Sequence, residues 1–326
     1  MKIAILGAGA WGSALAASLC AAHRVVLWSR DAADCEALSR QRASRYLPEV
    51  LLAPEIGIQP DLGRAVRDAE LVIVATSTSG LRETVRALAA HASGPSLVWA
   101  CKGFEASTRL LPHQVVTEAL PSATRVAALS GPSFALEVAH GLPTAVVLAS
   151  ADEPFAVSTA AALNSARLRI YSSRDVFGVE LGGALKNVIA IAAGIGDGLS
   201  LGRNARAALV TRGLAEITRL GVAMGGQPET FAGLAGLGDL VLTCTGELSR
   251  NREVGMRLAQ GRRLEDALSD LGHVAEGVSS ARAALDHARA RGIEMPITGA
   301  VCAVLFEARP AAEAVRQLLM RDPRPE

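Results

Sequence analysis

One lysine of this 326-residue chain lies inside an apolar run, and its chemical type and position make it a candidate for chemistry. Lys186 lies in ELGGALKNVIAIAAGIGDGL, residues 180–199, with an asparagine directly after it. An ammonium group taken out of water must reach solvent, pair with a carboxylate, or lose its proton more easily. The last property is what a proton-transfer catalyst needs. Lys186 is therefore a candidate general acid and base, with a lysine at a helix surface as the alternative.

A carboxylate and a phosphate-binding pattern follow later in the chain. Asp239 lies in GLAGLGDLVLTCTG, residues 233–246, where an unpaired carboxylate would be costly and needs a cation, a hydroxyl or its own backbone as partner. Ser249, Arg250 and Asn251 precede a helical run, so a hydroxyl, a guanidinium, an amide and helix-start N–H groups could converge on a phosphate monoester. The alternative for this second stretch is a solvated helix start.

A glycine-rich turn close to the N-terminus predicts a dinucleotide site. Gly7, Gly9 and Gly12 have the G-x-G-x-x-G spacing in GAGAWG, between an apolar strand and a helix. Such glycines allow a tight turn, close approach of a pyrophosphate to backbone N–H groups, and close packing of helix on strand. Trp11, inside this turn, either covers the cofactor or caps the domain.

The end of the second predicted strand bears on the choice of cofactor. It reads Trp28, Ser29, Arg30 and Asp31, where an acidic residue would hold the adenosine ribose of NAD. A guanidinium there suits a 2′-phosphate, so Arg30 predicts that NADPH is accepted, unless it is a solvated loop arginine. Asp31 would serve NAD if the strand ended one residue later.

The elements that position these residues divide the chain into two parts. Apolar strands and helices alternate to about residue 173, which predicts an α/β domain of Rossmann type with a doubly wound, mostly parallel sheet. Helical segments alone follow, so we expect a dinucleotide-binding domain over residues 1–175 and an all-helical substrate and catalytic domain over residues 176–326. Lys186 would then lie at the domain junction. Gly182 and Gly183 would either let a ring or substrate approach the backbone or serve helix packing.

Composition excludes several classes of protein. Lys and Arg number 33 against 32 Asp and Glu, a formal charge of +1 that offers no field for nucleic acid or an anionic membrane. The five cysteines are odd in number and contain no CxxC pair, which argues against a disulfide framework and a metal site and favours the cytoplasm. The N-terminal apolar run is interrupted by glycines, so we expect no signal peptide, and no segment long enough to predict membrane insertion.

With these motifs in place, the chain resembles bacterial-type NAD(P)-dependent glycerol-3-phosphate dehydrogenases almost from end to end. The resemblance rests on a series of motifs in the same order, namely GAGAWGSALA, CKGFE, LSGPSFALEVAHGLPTA, ELGGALKNVIAIAAGIGDGL, NARAALVTRGLAE, GLAGLGDLVLTCTG, SRNRE, VAEG and MPIT. It implies reversible reduction of dihydroxyacetone phosphate to sn-glycerol 3-phosphate by NADP(H) or NAD(H), feeding phospholipid synthesis in the cytoplasm.

The resemblance also implies roles for individual residues. Lys186 corresponds to the proton-transfer lysine of the family and Asp239 to a carboxylate near the substrate hydroxyls, so these two are the expected catalytic residues. Substrate contacts are expected from both of them and from Lys102, Gly131, Ser133, Ser249, Arg250 and Asn251. Cofactor contacts are expected from the glycine turn and a second set of positions, together Gly7, Gly9, Ala10, Trp11, Gly12, Arg30, Lys102, Ala135, Arg250, Val274 and Glu276.

Three stretches depart from the family pattern. The family often has a serine before the aromatic residue of the glycine turn, so Ala10 can offer only its backbone N–H to the pyrophosphate. ATSTSG, residues 75–80, replaces a sequence that usually contains a proline, and VAEGVSS, residues 274–280, lacks a more polar continuation. These last two departures place the geometry of that side of the cofactor site in question.

The expected mechanism has hydride passing from the nicotinamide to the ketone while the Lys186 ammonium protonates the developing alkoxide, and the reverse in oxidation. Asp239 would hold the lysine or the substrate hydroxyl. The alternatives are a β-hydroxyacid-type dehydrogenase with the same two-domain plan and a dinucleotide-binding redox sensor without catalysis. The apolar helical domain also makes a homodimer an expectation.

Overall fold

A computed structural model describes residues 1–91, 96–122, 125–271 and 275–322 of the chain. Its first half is built around one sheet, whose order is β3-β2-β1-β4-β5-β6-β7-β8. Within the described residues the strands are β1 Lys2–Leu6, β2 Arg24–Trp28, β3 Gly57–Gln59, β4 Leu71–Val74, β5 Leu97–Trp99, β6 Val126–Ser130, β7 Thr144–Ala149 and β8 Leu168–Ser173.

The sheet is parallel except where β7 pairs with β6 in the antiparallel sense. Strand order reverses beside β1, which pairs with β2 on one side and β4 on the other. In open α/β sheets, ligands bind at such a reversal, outside the carboxyl ends of the strands. The predicted Rossmann-type, mostly parallel sheet is confirmed. The sequence pattern did not predict β3, which has only three residues.

Helices cover both faces of this sheet, because strands such as β1 and β4 are buried on both faces and must be shielded on both. The helices between and after the strands are α1 Ala10–Leu19, α2 Ala32–Gln41, α3 Leu62–Val66, α4 Thr78–Ala89, α5 Pro112–Ala119, α6 Ala135–Ala139 and α7 Glu153–Leu163.

The second half is helical, as expected, and its described elements are α8 Val176–Gly198, α9 Gly202–Ala223, α10 Pro228–Ala232, α11 Asp239–Thr245, α12 Arg250–Ala259, α13 Leu264–Leu271, α14 Glu276–Arg289, α15 Pro296–Phe306 and α16 Ala311–Leu319. A π-helical turn, Leu234–Gly238, joins α10 to α11. The last strand ends at Ser173 and α8 begins at Val176, and the domain division at residue 175 stays a prediction.

The helix α8 is the centre of this second half. It packs against α9, α11, α12 and α14, and most of its residues are buried. Helix α8 is long and apolar enough to cross a membrane, yet 83% of its most apolar stretch is buried inside the protein. An apolar helix surrounded by other helices is typical of a core element. Lys186 therefore lies on the most enclosed helix of the helical region.

Candidate active site

The glycine turn after β1 has the shape that a pyrophosphate requires. Gly7 has φ +122°, and a Cβ there would lie 2.8 Å from the backbone carbon of Ala75. A Cβ on Gly12 would lie 1.8 Å from the carbonyl oxygen of Gly7, whereas one on Gly9 would meet nothing within 4 Å. The turn therefore packs tightly against protein atoms at Gly7 and Gly12 and is open at Gly9. No side chain caps the first N–H groups of α1 there. Such free N–H groups attract an anion.

Three further predicted cofactor residues, two in this turn and one outside it, pack together. Ala10, Trp11 and Ala135 pack together against a small cluster that includes Leu47 and Val138. Trp11 also contacts the main core of the sheet domain. Its packing role is thus visible in the structure, and its contact with the cofactor stays a prediction.

The structure separates the two candidates for the adenosine ribose. Asp31 caps α2, because its Oδ1 accepts hydrogen bonds from the backbone N of Ala33 at 2.9 Å and of Asp34 at 3.4 Å. Arg30 is exposed and forms an ion pair with Glu83 of α4. An exposed ion pair is weak and easily exchanged for another anion. Both side chains thus have partners in the structure, and which of them meets the nucleotide stays a prediction.

The chemical centre is a carboxylate shared by two lysines. Asp239 Oδ1 accepts a hydrogen bond from Lys186 Nζ, and its Oδ2 accepts one from Lys102 Nζ at 2.7 Å. Lys186 also donates to Thr243 Oγ1 at 2.9 Å, and Lys102 donates to the carbonyl oxygen of Gly131 at 2.9 Å. Lys102, Lys186 and Asp239 are therefore in direct contact through the Asp239 carboxylate. They are up to 137 positions apart in the chain.

This cluster carries one more positive charge than negative charge. Lys186 is 7% exposed and Asp239 is 1% exposed, so both charges are shielded from water. Burial lowers the pKa of Lys186 to about 8; Asp239 opposes this shift, and the nearby charge of Lys102 adds to it. A lysine with a pKa near neutrality can both give and take a proton at physiological pH.

The backbone around the cluster explains its tight arrangement. A Cβ on Gly182 would lie 2.4 Å from the carbonyl oxygen of Ala235, in the π-helical turn that leads to Asp239. A Cβ on Gly183 would lie 2.7 Å from Ser130 Oγ and 3.5 Å from the Lys102 side chain. Protein atoms fill this space, which favours the second of the two alternatives, that Gly182 and Gly183 serve packing of the lysine helix.

The stretch expected to bind phosphate lies next to the lysine helix. Ser249 caps α12, with its Oγ accepting from the backbone N of Arg252 at 3.3 Å. The side chain of Asn251 is already occupied, because it donates to Asn187 Oδ1 at 3.0 Å and accepts from Gly277 N at 3.0 Å. Asn187 directly follows Lys186, so this contact ties the phosphate stretch to the catalytic helix.

Arg250 is the free cation of this stretch. Its side chain is exposed, yet the protein around it lowers its pKa, an effect that Glu276 opposes. No hydrogen bond within the described part of the chain engages its guanidinium, and an exposed guanidinium in this state can bind an anion.

Gly131 and Ser133 follow the end of β6, in the sheet half of the chain. Gly131 has φ +134°, and its carbonyl oxygen accepts from both Lys102 Nζ and Ser133 Oγ, the latter at 3.0 Å. A Cβ on Gly131 would lie 2.9 Å from the Cα of Val146. A larger residue would therefore displace the carbonyl that orients Lys102.

Glu276 joins the start of α14 to the ATSTSG segment. Its Oε1 accepts from the backbone N of Thr78 at 3.2 Å, and burial raises its pKa. The hydroxyls of Thr76, Thr78 and Ser280 are buried nearby without a hydrogen-bond partner among the described residues. The altered segment thus forms a regular helix start beside Glu276. Val274, also predicted to bind the cofactor, lies outside the described residues.

The sequence analysis missed one residue of this site. Thr243 Oγ1 accepts from Lys186 and donates to the carbonyl oxygen of Asp239 at 2.6 Å. It lies four residues after Asp239, and this i,i+4 spacing on α11 places both side chains on one helix face. That spacing is the signal that could have revealed it.

Comparison with known proteins matches both halves of the chain to one family. The family model for the N-terminus of NAD-dependent glycerol-3-phosphate dehydrogenase matches residues 2–156, and the model for its C-terminus matches residues 175–316. The chain belongs to the NAD-dependent glycerol-3-phosphate dehydrogenase family.

Individual members of this family match over their full length. The glycerol-3-phosphate dehydrogenase [NAD(P)+] of Thiobacillus denitrificans is 57% identical, and all of both chains is covered. That of Nitrosospira multiformis is 54% identical over all of this chain and 99% of the relative. The crystal structure of glycerol-3-phosphate dehydrogenase from Coxiella burnetii is 39% identical, with a TM-score of 0.94 over 98% of this chain and 99% of that one. The resemblance identified from the motifs is thus confirmed.

Proposed function

We propose that this chain is an NAD(P)-dependent glycerol-3-phosphate dehydrogenase that interconverts dihydroxyacetone phosphate and sn-glycerol 3-phosphate. The product would supply phospholipid synthesis. The observation that carries the proposal is the sharing of Asp239 by Lys102 and Lys186 at the meeting point of the sheet and the helical region. Family membership over the whole chain supports the same reaction.

The glycine turn fits a nicotinamide dinucleotide, because it combines a close backbone turn at Gly7 with open space above Gly9 and uncapped N–H groups. The residues that would hold the cofactor are this turn, Trp11, Arg30, and Glu276 with Lys102 toward the helical region. When bound, the nicotinamide supplies or accepts the hydride of the reaction. The exposed guanidinium of Arg30 supports acceptance of NADPH.

Lys186 is the proposed general acid and base. In reduction its ammonium donates a proton to the oxygen of the former ketone, and in oxidation the neutral amine removes the hydroxyl proton. Asp239 and Thr243 hold Nζ from two directions, which fixes where the proton is delivered. Lys102, fixed by Asp239 and Gly131, places a second positive charge beside the developing alkoxide.

The phosphate is the proposed handle by which the substrate is oriented. Arg250 is an exposed cation at the start of α12, within reach of the charge of Glu276. Ser249 caps this helix start, and Asn251 ties it to Asn187 of α8. Binding energy from a remote phosphate can be used to orient the carbonyl at Lys186. Gly131 and Ser133 would line the opposite wall.

The experiment is an assay of NADPH and NADH oxidation with dihydroxyacetone phosphate, with unphosphorylated dihydroxyacetone as the control substrate. We expect fast oxidation with the phosphorylated substrate and only poor activity with the unphosphorylated one. A β-hydroxyacid-type dehydrogenase would instead act on a carboxylate substrate, and a redox sensor would oxidise neither cofactor. No turnover with dihydroxyacetone phosphate would refute the proposal.

We also propose that the enzyme works as a homodimer in the cytoplasm. A groove of about 400 Å³ between α9, α15 and α16 is lined by apolar side chains and contains none of the site residues. Leu319 at its edge is 77% exposed, and charges of both signs, such as Arg212 and Asp322, line it. A two-fold interface needs such self-complementary surfaces. The five cysteines are all free thiols, as suits a reducing compartment.

The dimer can be tested by light-scattering measurement of the molar mass in solution. We expect a mass of two chains for the wild type and one chain for Leu319→Arg, because the charge would be buried in the interface. A wild type with the mass of one chain at all protein concentrations would refute it.

A further inference from the structure

Glu180 is a buried carboxylate on the lysine helix that the proposed reaction does not use. It lies in the second turn of α8 and is only 5% exposed. Its Oε1 accepts from the indole Nε1 of Trp99 at 2.7 Å and from the backbone N of His113 at 2.8 Å. Its Oε2 lies 2.5 Å from His113 Nδ1, which donates to it.

The partners of Glu180 all belong to the nucleotide-binding half. Trp99 is the last residue of β5 and is buried, and His113 lies in the first turn of α5. The backbone N–H of His113 is one of the helix-start groups that no intrahelical carbonyl can satisfy. Glu180 therefore connects α8 to one strand end and one helix start of the sheet domain.

A second connection joins the same two segments. Lys102 follows Trp99 by three residues and meets Lys186 of α8 through Asp239. Glu180 and Lys186 are six residues apart, about 9 Å along the helix axis. The strand end at 99–102 and the helix stretch at 180–186 are thus connected at two points. Two such connections restrain both the shift of α8 along its axis and its rotation relative to the strand end.

This arrangement has a consequence for the reaction. The glycine turn and Lys102 belong to the sheet domain, whereas Lys186 belongs to the helical region. Rate depends on holding reacting groups in place, and a misplacement of about 1 Å can lower it about 100-fold. A buried carboxylate contributes little stability compared with an apolar residue of the same size, but it fixes one geometry.

We propose that Glu180 is a positioning residue, which sets the place of Lys186 relative to the cofactor-binding strand ends through Trp99 and His113. The inference rests on the proposed function. It adds a residue that touches neither substrate nor cofactor, since its carboxylate is enclosed by its three donors.

The chain offers a matched control for this proposal. Glu216 of α9 is 2% exposed and also accepts at a helix start, from the backbone N of Ile297 at 2.7 Å and of Thr298 at 3.2 Å. Both of its partners belong to the helical region, so its loss should cost stability without moving α8 against the sheet. Glu180→Gln and Glu216→Gln therefore make the same chemical change at two buried helix-capping carboxylates.

The experiment compares these two variants with the wild type in Tm, NADPH dissociation constant, kcat for dihydroxyacetone phosphate reduction, and the pH at which kcat breaks. We expect both variants to lower Tm, and Glu180→Gln alone to lower kcat about 10- to 100-fold with an unchanged NADPH dissociation constant. The pH break should also move in this variant, because Lys186 shifts against Asp239. Trp99→Phe, which removes one donor and keeps a ring, should give a smaller loss of kcat in the same direction.

A Glu180→Gln enzyme with the kcat and pH break of Glu216→Gln would overturn the proposal. If Glu180→Gln does not fold, the comparison of Trp99→Phe with Glu216→Gln decides it by the same criteria. Failure of the wild type to reduce dihydroxyacetone phosphate would instead refute the proposed function, so the two failures are distinguishable.

Discussion

The ionisation of Lys186 predicts how the two directions of the reaction depend on pH. Reduction of the ketone needs the ammonium form, and oxidation of the alcohol needs the neutral amine. Because burial lowers the pKa of Lys186 to about 8 in the free enzyme, kcat/KM for reduction should fall as pH rises through about 8. For the same reason kcat/KM for oxidation should rise through that pH.

The size of this effect follows from the titration of one group. With a pKa of about 8, Lys186 is about 90% protonated at pH 7 and about 10% protonated at pH 9. The ratio kcat/KM reports the ionisation of the free enzyme, which is the state that this pKa describes. We therefore expect kcat/KM for dihydroxyacetone phosphate reduction to fall about tenfold between pH 7 and pH 9.

Asp239→Asn is the perturbation that tests the physical cause. The Asp239 carboxylate raises the pKa of Lys186 both by its charge and by its hydrogen bond, whereas burial and Lys102 lower it. Without that carboxylate the pH break should move below 8. Asp197→Asn is the control, because Asp197 is on the same helix but pairs with Arg206 and Arg252. Its loss should leave the break in place.

The assay is the initial rate of NADPH oxidation across pH, repeated in the oxidative direction. Lys186→Ala should lose about 100- to 10,000-fold in kcat, the range of one general acid, with little change in nucleotide affinity. A kcat/KM that stays level from pH 7 to pH 9 in the wild type would refute the reasoning. So would a break that persists in Lys186→Ala, or one that moves upward in Asp239→Asn.

Four other predictions follow, three on binding and one on the cap of α2. Arg250→Ala should raise KM for dihydroxyacetone phosphate sharply and leave the poor activity on dihydroxyacetone nearly unchanged, whereas equal losses on both substrates would make Arg250 structural. Arg30→Ala should weaken NADPH binding by one to two powers of ten and leave NADH nearly unaffected, measured as dissociation constants. Asp31→Ala should lower Tm through loss of the α2 cap, by about 1 kcal/mol of stability, without selective loss of NADH. Gly7→Ala should abolish tight binding of both nucleotides, because φ is +122° and the Cβ would meet the Ala75 backbone; calorimetry showing normal affinity would contradict this.

Local sequence signals were sufficient for much of the fold. Strands such as β1 and β4 are continuous apolar runs, and the glycine spacing at Gly7, Gly9 and Gly12 requires only neighbours within one strand-turn-helix unit. The helical second half was also readable, because a run such as 176–198 has no strand pattern. Strand β3 was not recognised because its three residues, GIQ, contain a single apolar residue and are only partly buried, unlike the equally short but fully buried LVW of β5. Its existence depends on pairing with β2.

The motifs likewise predicted that Lys186, Asp239 and Lys102 take part in the reaction, but they did not predict which of these side chains contact one another. One carboxylate can serve both lysines because α8, α11 and the strand ends pack together. These segments are up to 137 residues apart in the chain. The lowered pKa of Lys186 has the same origin, because burial is a property of the assembled core and of no single segment.

Other roles were decided only by which partner a side chain found in three dimensions. Asp31 could have held a ribose, yet it caps its own helix; Gly182 could have opened space for a substrate, yet it receives the backbone of Ala235. Glu180 gave no signal at all in an apolar helix until Trp99 and His113 were seen to donate to it. Residue type and spacing determine what chemistry a segment can offer. The tertiary structure decides which groups meet, because hydrogen bonds and charge interactions act over a few ångströms of space and not along the sequence.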